Sequence, residues 1–158
     1  MVRERGLAIA TAAYWQQMPD WPRAMRAAIE ALLAYFAAEP DLARVATVEV
    51  LAAGGEALER RDEAVESFVS LFDPGYKPAP PVSPVAREAV PFGLYSLIHR
   101  HLGSGGEAAT LPRLVPAATF FALAPFLGAE RAAGIANEKA SPPVRSAPAT
   151  APAGLAAG

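Results

Sequence analysis

The sequence predicts an all-α fold, an antiparallel bundle of helices, on three observations. Apolar residues recur at helical spacing along most of the chain. Alanine is abundant, and no run alternates β-branched with polar residues in the way a half-buried strand requires. Proline and glycine fall between the periodic segments, as punctuation. The 158 residues suffice for one domain with a tail.

The elements follow in order. Residues 6–15 form an Ala-rich helix. Met25, Ile29, Leu32, Leu33 and Phe36 stand at i, i+4, i+7, i+8 and i+11, one face of a second helix. Asp20 before Trp21-Pro22 supplies its N-cap, and Pro40 closes the pattern. Leu42, Val45, Val48 and Ala52 predict a shorter helix that ends at Gly54-Gly55. The next carries Leu58, Val65, Phe68, Leu71 and Phe72, with Glu59, Arg60, Asp62, Glu63 and Glu66 read as its solvated face. The Pro-rich stretch 73–81 is a loop between helices, too short to be a linker between domains. Nothing repeats internally.

Two helices of another kind come next. Ser83-Pro84 opens one that runs to about Leu102 and ends at Gly103-Ser104-Gly105-Gly106. Thr110-Leu111-Pro112 opens the other, which runs to Leu127-Gly128. Both are apolar nearly all round, so each needs cover on more than one side. One subunit of this size has too little else to cover them. The economical solution is a homodimer in which each subunit gives both helices to a four-helix bundle. The seam expected there is Val90, Leu94, Leu97, Leu114, Ala117, Phe121 and Ala124. Ala117, Ala118, Ala122 and Ala124 let the backbones approach closely.

Composition excludes several functions. Basic residues (14) and acidic residues (16) give a net charge of −2, and the basic ones are scattered, so the chain carries no electrostatic footprint for nucleic acid. The absence of cysteine removes disulfides, thiolate metal sites and thiol catalysis and agrees with a cytoplasmic chain. The N-terminus lacks the long apolar core of a signal peptide. The longest uncharged run, 114–129, is too short to span a membrane and contains Pro116 and Pro125, so no membrane association is expected. Residues 139–158 are nearly all Ala, Pro, Ser, Thr and Gly, and read as a disordered tail after a domain at 1–138.

Chemistry is sparse. His99 and His101 are the only histidines, and on a helix their rings diverge by about 200°, so they do not share a metal. No G-x-S-x-G, Walker A or G-x-G-x-x-G motif occurs, and the Gly103–Gly106 run follows no strand, which makes it a helix-ending loop. Glu49 reads as an exposed acid on a short helix. Catalytic residues, metal and cofactor are therefore not expected, nor is an enzyme. What stands out is a supply of aromatic and thioether side chains: Tyr14, Trp15, Met18, Trp21, Met25, Phe68, Phe72, Phe92 and Tyr95. Bundles form apolar small-molecule pockets between helices from such residues, which singly also serve as ordinary core.

Helix order and local strings resemble a known family. The pieces are Trp21-Pro-Arg-Ala-Met-Arg26, Glu39-Pro-Asp-Leu-Ala-Arg-Val45 running on through Val48-Glu49-Val50-Leu51 to Gly54, and Ala57-Leu-Glu-Arg-Arg61. Gly93-Leu-Tyr-Ser-Leu-Ile98, Leu111-Pro-Arg-Leu-Val-Pro116 and Ala122-Leu-Ala-Pro-Phe-Leu-Gly128 continue the series. In this order and spacing, residues 21–138 resemble the C-terminal, ligand-binding and dimerisation domain of TetR-family transcriptional regulators. The resemblance implies a homodimer whose subunits each hold an effector.

In that family an N-terminal helix-turn-helix reads DNA. Nothing resembling it precedes the match here, and residues 1–19 look like the end of the helix that would connect head to body. The resemblance thus implies a body without its head: a truncated gene product, a misplaced start at Met1, or a domain that acts through a partner. DNA is a partner only if a helix-turn-helix lies upstream. The family's arrangement implies a cavity between the first helices and those around 56–72 and 84–102. It would be lined by Trp15, Met18, Met25, Phe68, Phe72 and Tyr95, with Tyr95 and His99 offering hydrogen bonds. That lining suits a small, flat, apolar or aromatic, uncharged compound. The alternative is a structural dimerisation module without a ligand, and a connected apolar space of about 300 Å³ or more separates the two readings.

Overall fold

Trp21-Pro22 opens the helix on which the others assemble. The computed structural model describes residues 2–76 and 83–139, and among these all regular structure is helical: seven α-helices and three 3-10 segments, with no strand. The α-helices are α1 (Val2–Gln17), α2 (Trp21–Ala38), α3 (Pro40–Thr47), α4 (Gly55–Glu66), α5 (Pro84–Gly103), α6 (Val115–Leu127) and α7 (Ala129–Ala136).

The Asp20 carboxylate accepts the Arg23 N–H at 3.3 Å at the start of α2, where Pro22 occupies a position that needs no N–H partner. Trp21, Met25, Ile29 and Leu33 then bury one stripe, and Ala24 and Ala28 let neighbours close in. α1 packs along α2 and buries Ala10 and Tyr14. On the other side, α2 meets α6 and the 3-10 segment Ala108–Leu114, whose Leu111, with Ala122 and Leu123 of α6, is fully enclosed.

Three expected helices are shorter than their apolar patterns. α3 stops at Thr47 and a 3-10 segment, Glu49–Ala52, follows, since Val45, Thr47, Val48 and Val50 crowd four β-branched side chains into one turn and a half. The next helix ends at Glu66 rather than Phe72; Phe68 lies in a turn, and Leu71 and Phe72 belong to the 3-10 segment Val69–Tyr76, which contains Pro74. Of the expected loop 73–81, Asp73–Tyr76 thus has 3-10 structure, and 77–81 lies outside the described residues. Ahead of α6, Pro112 cannot donate to an α-helical ladder and the first turns are 3-10, while Pro116 sits in the first turn of α6, where no N–H partner is needed. The expected tail lies outside the described residues, apart from Lys139.

The two segments Ala108–Leu114 and Val115–Leu127 are nevertheless continuous, a 20-residue helical stretch whose most apolar 18-residue window has a mean hydropathy of 1.3. By length and composition it reaches what a membrane span needs, which corrects the reading of this region as too short. A third of its most apolar window is buried inside the bundle.

α7 has no counterpart in the sequence pattern. Gly128, at φ 80°, turns the chain between α6 and α7 in a conformation that glycine adopts without penalty. Ala132 and Ala136 then pack inward. Beyond α7, Glu138 is clasped by α2: Arg23 Nε and Nη2 donate to its two carboxylate oxygens at 3.0 and 2.6 Å, and Arg26 Nη2 donates to its backbone carbonyl at 2.6 Å. Arg26 is buried and also pairs with Glu30 at 3.2 Å.

Candidate functional site

The stripe of α2 is broader than α1 alone covers. Met25, Ala28, Ile29, Leu32 and Phe36 face a space that α3, α4 and α5 border from the other sides, leaving a cavity of about 750 Å³ that is open to solvent on one side. Leu7 and Ala10 of α1, Leu42 and Val45 of α3, Ala64 and Val65 of α4, and Pro91, Leu94 and Ile98 of α5 complete an almost wholly apolar wall. Phe68, Leu71 and Phe72 form its end between α4 and α2.

Two backbone oxygens hold this wall in shape. The Leu71 carbonyl accepts from the Tyr14 hydroxyl at 3.1 Å and from the Trp21 indole N–H at 2.8 Å. Both bonds are buried, and they tie the 3-10 segment of Leu71 to α1 and α2. Burial raises the Tyr14 phenol above its ordinary pKa, with Asp73 adding in the same direction. The Thr47 carbonyl, at the end of α3, accepts from the Tyr95 hydroxyl at 2.8 Å and from His99 Nδ1 at 2.9 Å. A carbonyl accepts only, so Nδ1 of His99 carries the proton. One helical turn apart on α5, the two rings lie 6.5 Å apart and parallel within 3°.

Tyr95 thereby spends its hydroxyl on the protein and shows the cavity its ring. Over that ring, 5.3 Å from its centre, sits the Arg61 guanidinium. Arg61 Nε donates to Oδ1 of Asp62 at 2.6 Å, and Nη2 lies 2.6 Å from the same oxygen. Burial raises the Tyr95 phenol pKa, while Arg61 pulls the other way. Arg60, Glu63 and Glu4, all exposed, stand where α1 and α4 border the cavity.

Of the sequence-derived lining, Met25, Phe68, Phe72 and Tyr95 are brought together here. Three residues are not. Trp15 is 62% exposed and meets Tyr14 edge-on at 5.3 Å, because Tyr14 takes the inward position on α1 and its neighbour points about 100° away. Met18 lies past the end of α1 and packs against the core outside the cavity. His99 is turned to the Thr47 carbonyl and lines no part of the cavity. The expectation of a lining without charge is corrected by Arg61. The signal for it was present: Ala57, Arg61, Ala64, Val65 and Phe68 repeat the spacing i, i+4, i+7, i+8, i+11 of α2, which puts Arg61 in the apolar stripe of α4 rather than on its solvated face.

The expected dimer seam also divides. Val90 is buried within the subunit, Leu94 lines the cavity, and Leu97 and Leu114 pack against the core. At 90, 94 and 97 these α5 residues form the inward stripe, and an all-round apolar helix has one of those too. Ala117 and Phe121 are exposed and Ala124 is half-buried; with Phe120 they make an outward stripe on α6. Phe120 is 39% and Phe121 42% exposed. On α5, Val85, Ala89 and Ser96 are exposed and Phe92 half-buried, and the Phe121 ring lies against Gly93.

His101 is engaged locally, its Nε2 2.8 Å from the Thr110 hydroxyl. Among the described residues no three acidic or histidine side chains gather as metal ligands would. No protein-family model matches the chain, and no curated protein or solved structure matches it either.

Proposed function

We propose that the chain is the effector-binding and dimerisation domain of a TetR-like transcriptional regulator, acting in the cytoplasm and by binding rather than catalysis. The observation that carries the reading is the cavity: about 750 Å³ of connected, apolar-walled space, within the range of pockets that hold drug-sized molecules. A module built only to dimerise gains stability by filling such a space, since voids forfeit packing energy. The occupant is a small, largely apolar or aromatic compound. The outward stripes of α5 and α6, with Phe120 and Phe121 exposed, support pairing of two copies there.

The test is a thermal-shift and calorimetric screen of the purified chain against apolar and aromatic compounds, with sedimentation of the free protein. Ligands that bind at micromolar concentration raise the melting temperature by mass action, and the protein sediments as a dimer. If no compound in a broad panel shifts the melting temperature and the protein still dimerises, a structural dimerisation module replaces the ligand reading.

A further inference from the structure

Every cation and anion at the border of the cavity is exposed except one. Arg61 lines the cavity with its side chain only 20% exposed, on the same α4 stripe as Ala64 and Val65. Placing a guanidinium there costs desolvation that an apolar residue would avoid, and a site for neutral compounds gains nothing from it. The guanidinium is also held in place, by the Tyr95 ring beneath it and by Asp62 beside it. Asp62 takes the Nε donor through one carboxylate oxygen, with Nη2 near the same oxygen, and Tyr95 takes another donor, which still leaves part of the five-donor fork of the guanidinium for a ligand.

We infer that the cavity takes an amphiphile with a single anionic head, a carboxylate carried on an apolar chain or ring system, with the head on Arg61 and the apolar part laid between α2 and α5. This rests on the cavity being a ligand site, and narrows which ligands it takes. Arg61 meets a planar carboxylate with parallel N–H donors, a charge-assisted arrangement stronger than any neutral hydrogen bond available nearby. The Tyr95 hydroxyl donates its proton to the Thr47 carbonyl and turns its oxygen to Arg61, so it has no donor left for the head and helps to hold the guanidinium in place. Leu32, Ile29, Phe36 and Leu94 supply the wall for the apolar part.

The test compares three probes with the same chain and different heads: dodecanoate, dodecan-1-ol and dodecyltrimethylammonium, each below its micellar concentration, by calorimetry with the wild-type protein. Dodecanoate binds about ten-fold or more tighter than dodecan-1-ol, and the cation binds most weakly. In Arg61→Gln, dodecanoate falls to the affinity of dodecan-1-ol, whose own binding stays within about two-fold. Arg61→Lys, which keeps the charge and loses the fork, recovers part of the difference. If the alcohol or the cation binds as tightly as the carboxylate, or if Arg61→Gln leaves the carboxylate's affinity unchanged, the anionic-head inference is overturned and the ligand reading stands. If none of the three binds, and no compound in the broader screen does, the ligand reading itself falls. Should Arg61→Gln not fold, the wild-type series alone decides.

Discussion

The ring of Phe121 on α6 occupies the place where a side chain at Gly93 on α5 would begin: a Cβ added there would collide with the ring's Cε1 and Cζ. The two helices meet through a missing methyl group. The Phe121 ring is at the same time 42% exposed, and its outer edge belongs to the surface on which the proposed pairing rests.

Two substitutions therefore separate fold from assembly. Phe121→Glu removes the packed half of one ring from the α5–α6 contact, so the stability of the subunit falls by about 1–3 kcal/mol without loss of the fold. At a twofold seam it buries two unpaired carboxylates, and sedimentation at micromolar concentration then shows a monomer. Gly93→Ala swings the Phe121 ring outward, and the improved helix propensity of alanine offsets the local cost; dimerisation weakens while the melting temperature holds. A Phe121→Glu protein that still sediments as a dimer places the seam elsewhere.

Gly75 is a different case. A Cβ there would meet the Trp21 ring at 2.5 and 2.9 Å and the Phe126 ring at 2.8 Å. Trp21 is buried and bonded to Leu71, and Phe126 is wedged edge-on against Trp21 at 5.4 Å and against Tyr76 at 5.6 Å. Trp21 has no room to withdraw, and Phe126 would have to give up its contacts with Trp21 and Tyr76 to do so. Gly75→Ala destabilises the protein by about 1–3 kcal/mol, read from the urea midpoint.

Alkaline pH tests the buried phenol of Tyr14 and the half-buried one of Tyr95. Tyr14 and Tyr95 both titrate above the ordinary 10.0 in the folded chain. Below about pH 10 folded and unfolded states both keep these protons, and the stabilisation is fully present. As pH rises through about 10 and toward the folded values, the unfolded chain loses them first, and stability falls. Urea midpoints stay level up to about pH 9 and drop above about 10, and Tyr14→Phe makes the drop shallower. At neutral pH the same variant costs about 1 kcal/mol, because the Leu71 carbonyl keeps its bond from Trp21.

Phe68 probes the cavity itself. It is half-buried at the end of the wall, packed against the core without being enclosed by it. Phe68→Ala opens the space further and removes an aromatic face, so affinity for any ligand that the wild type binds falls about ten-fold or more while sedimentation is unchanged. Equal losses of both would mean that Phe68 supports the fold rather than the site.

The all-helical architecture was legible because α2, the helix that contacts most of the others, announces itself completely: a capping aspartate, a proline in the first turn, an apolar stripe and a terminating proline. Elsewhere the pattern outran the backbone. Leu71 and Phe72 keep the register of α4 but sit in a 3-10 segment, since periodicity reports which side chains are apolar and not which hydrogen bonds close. α7 is silent in the sequence because eight residues rich in alanine show hardly two turns of contrast. At the site, large apolar and aromatic residues inside apolar stripes do line the cavity, as with Met25, Phe68, Phe72 and Tyr95. Trp15 does not, because one residue of rotation separates it from Tyr14. Arg61 is hidden by composition, since its charged neighbours suggest a solvated face while its spacing carries the information.

The grip of Arg23 and Arg26 on Glu138 bridges partners as much as 115 positions apart in sequence and fastens the segment after α7 to the first turns of α2. Glu138 is thus stationed at the α1–α2 corner. A reporter dye fixed there would register motions of that corner, and an affinity tag there would tug on the helix that carries Met25 and Ile29.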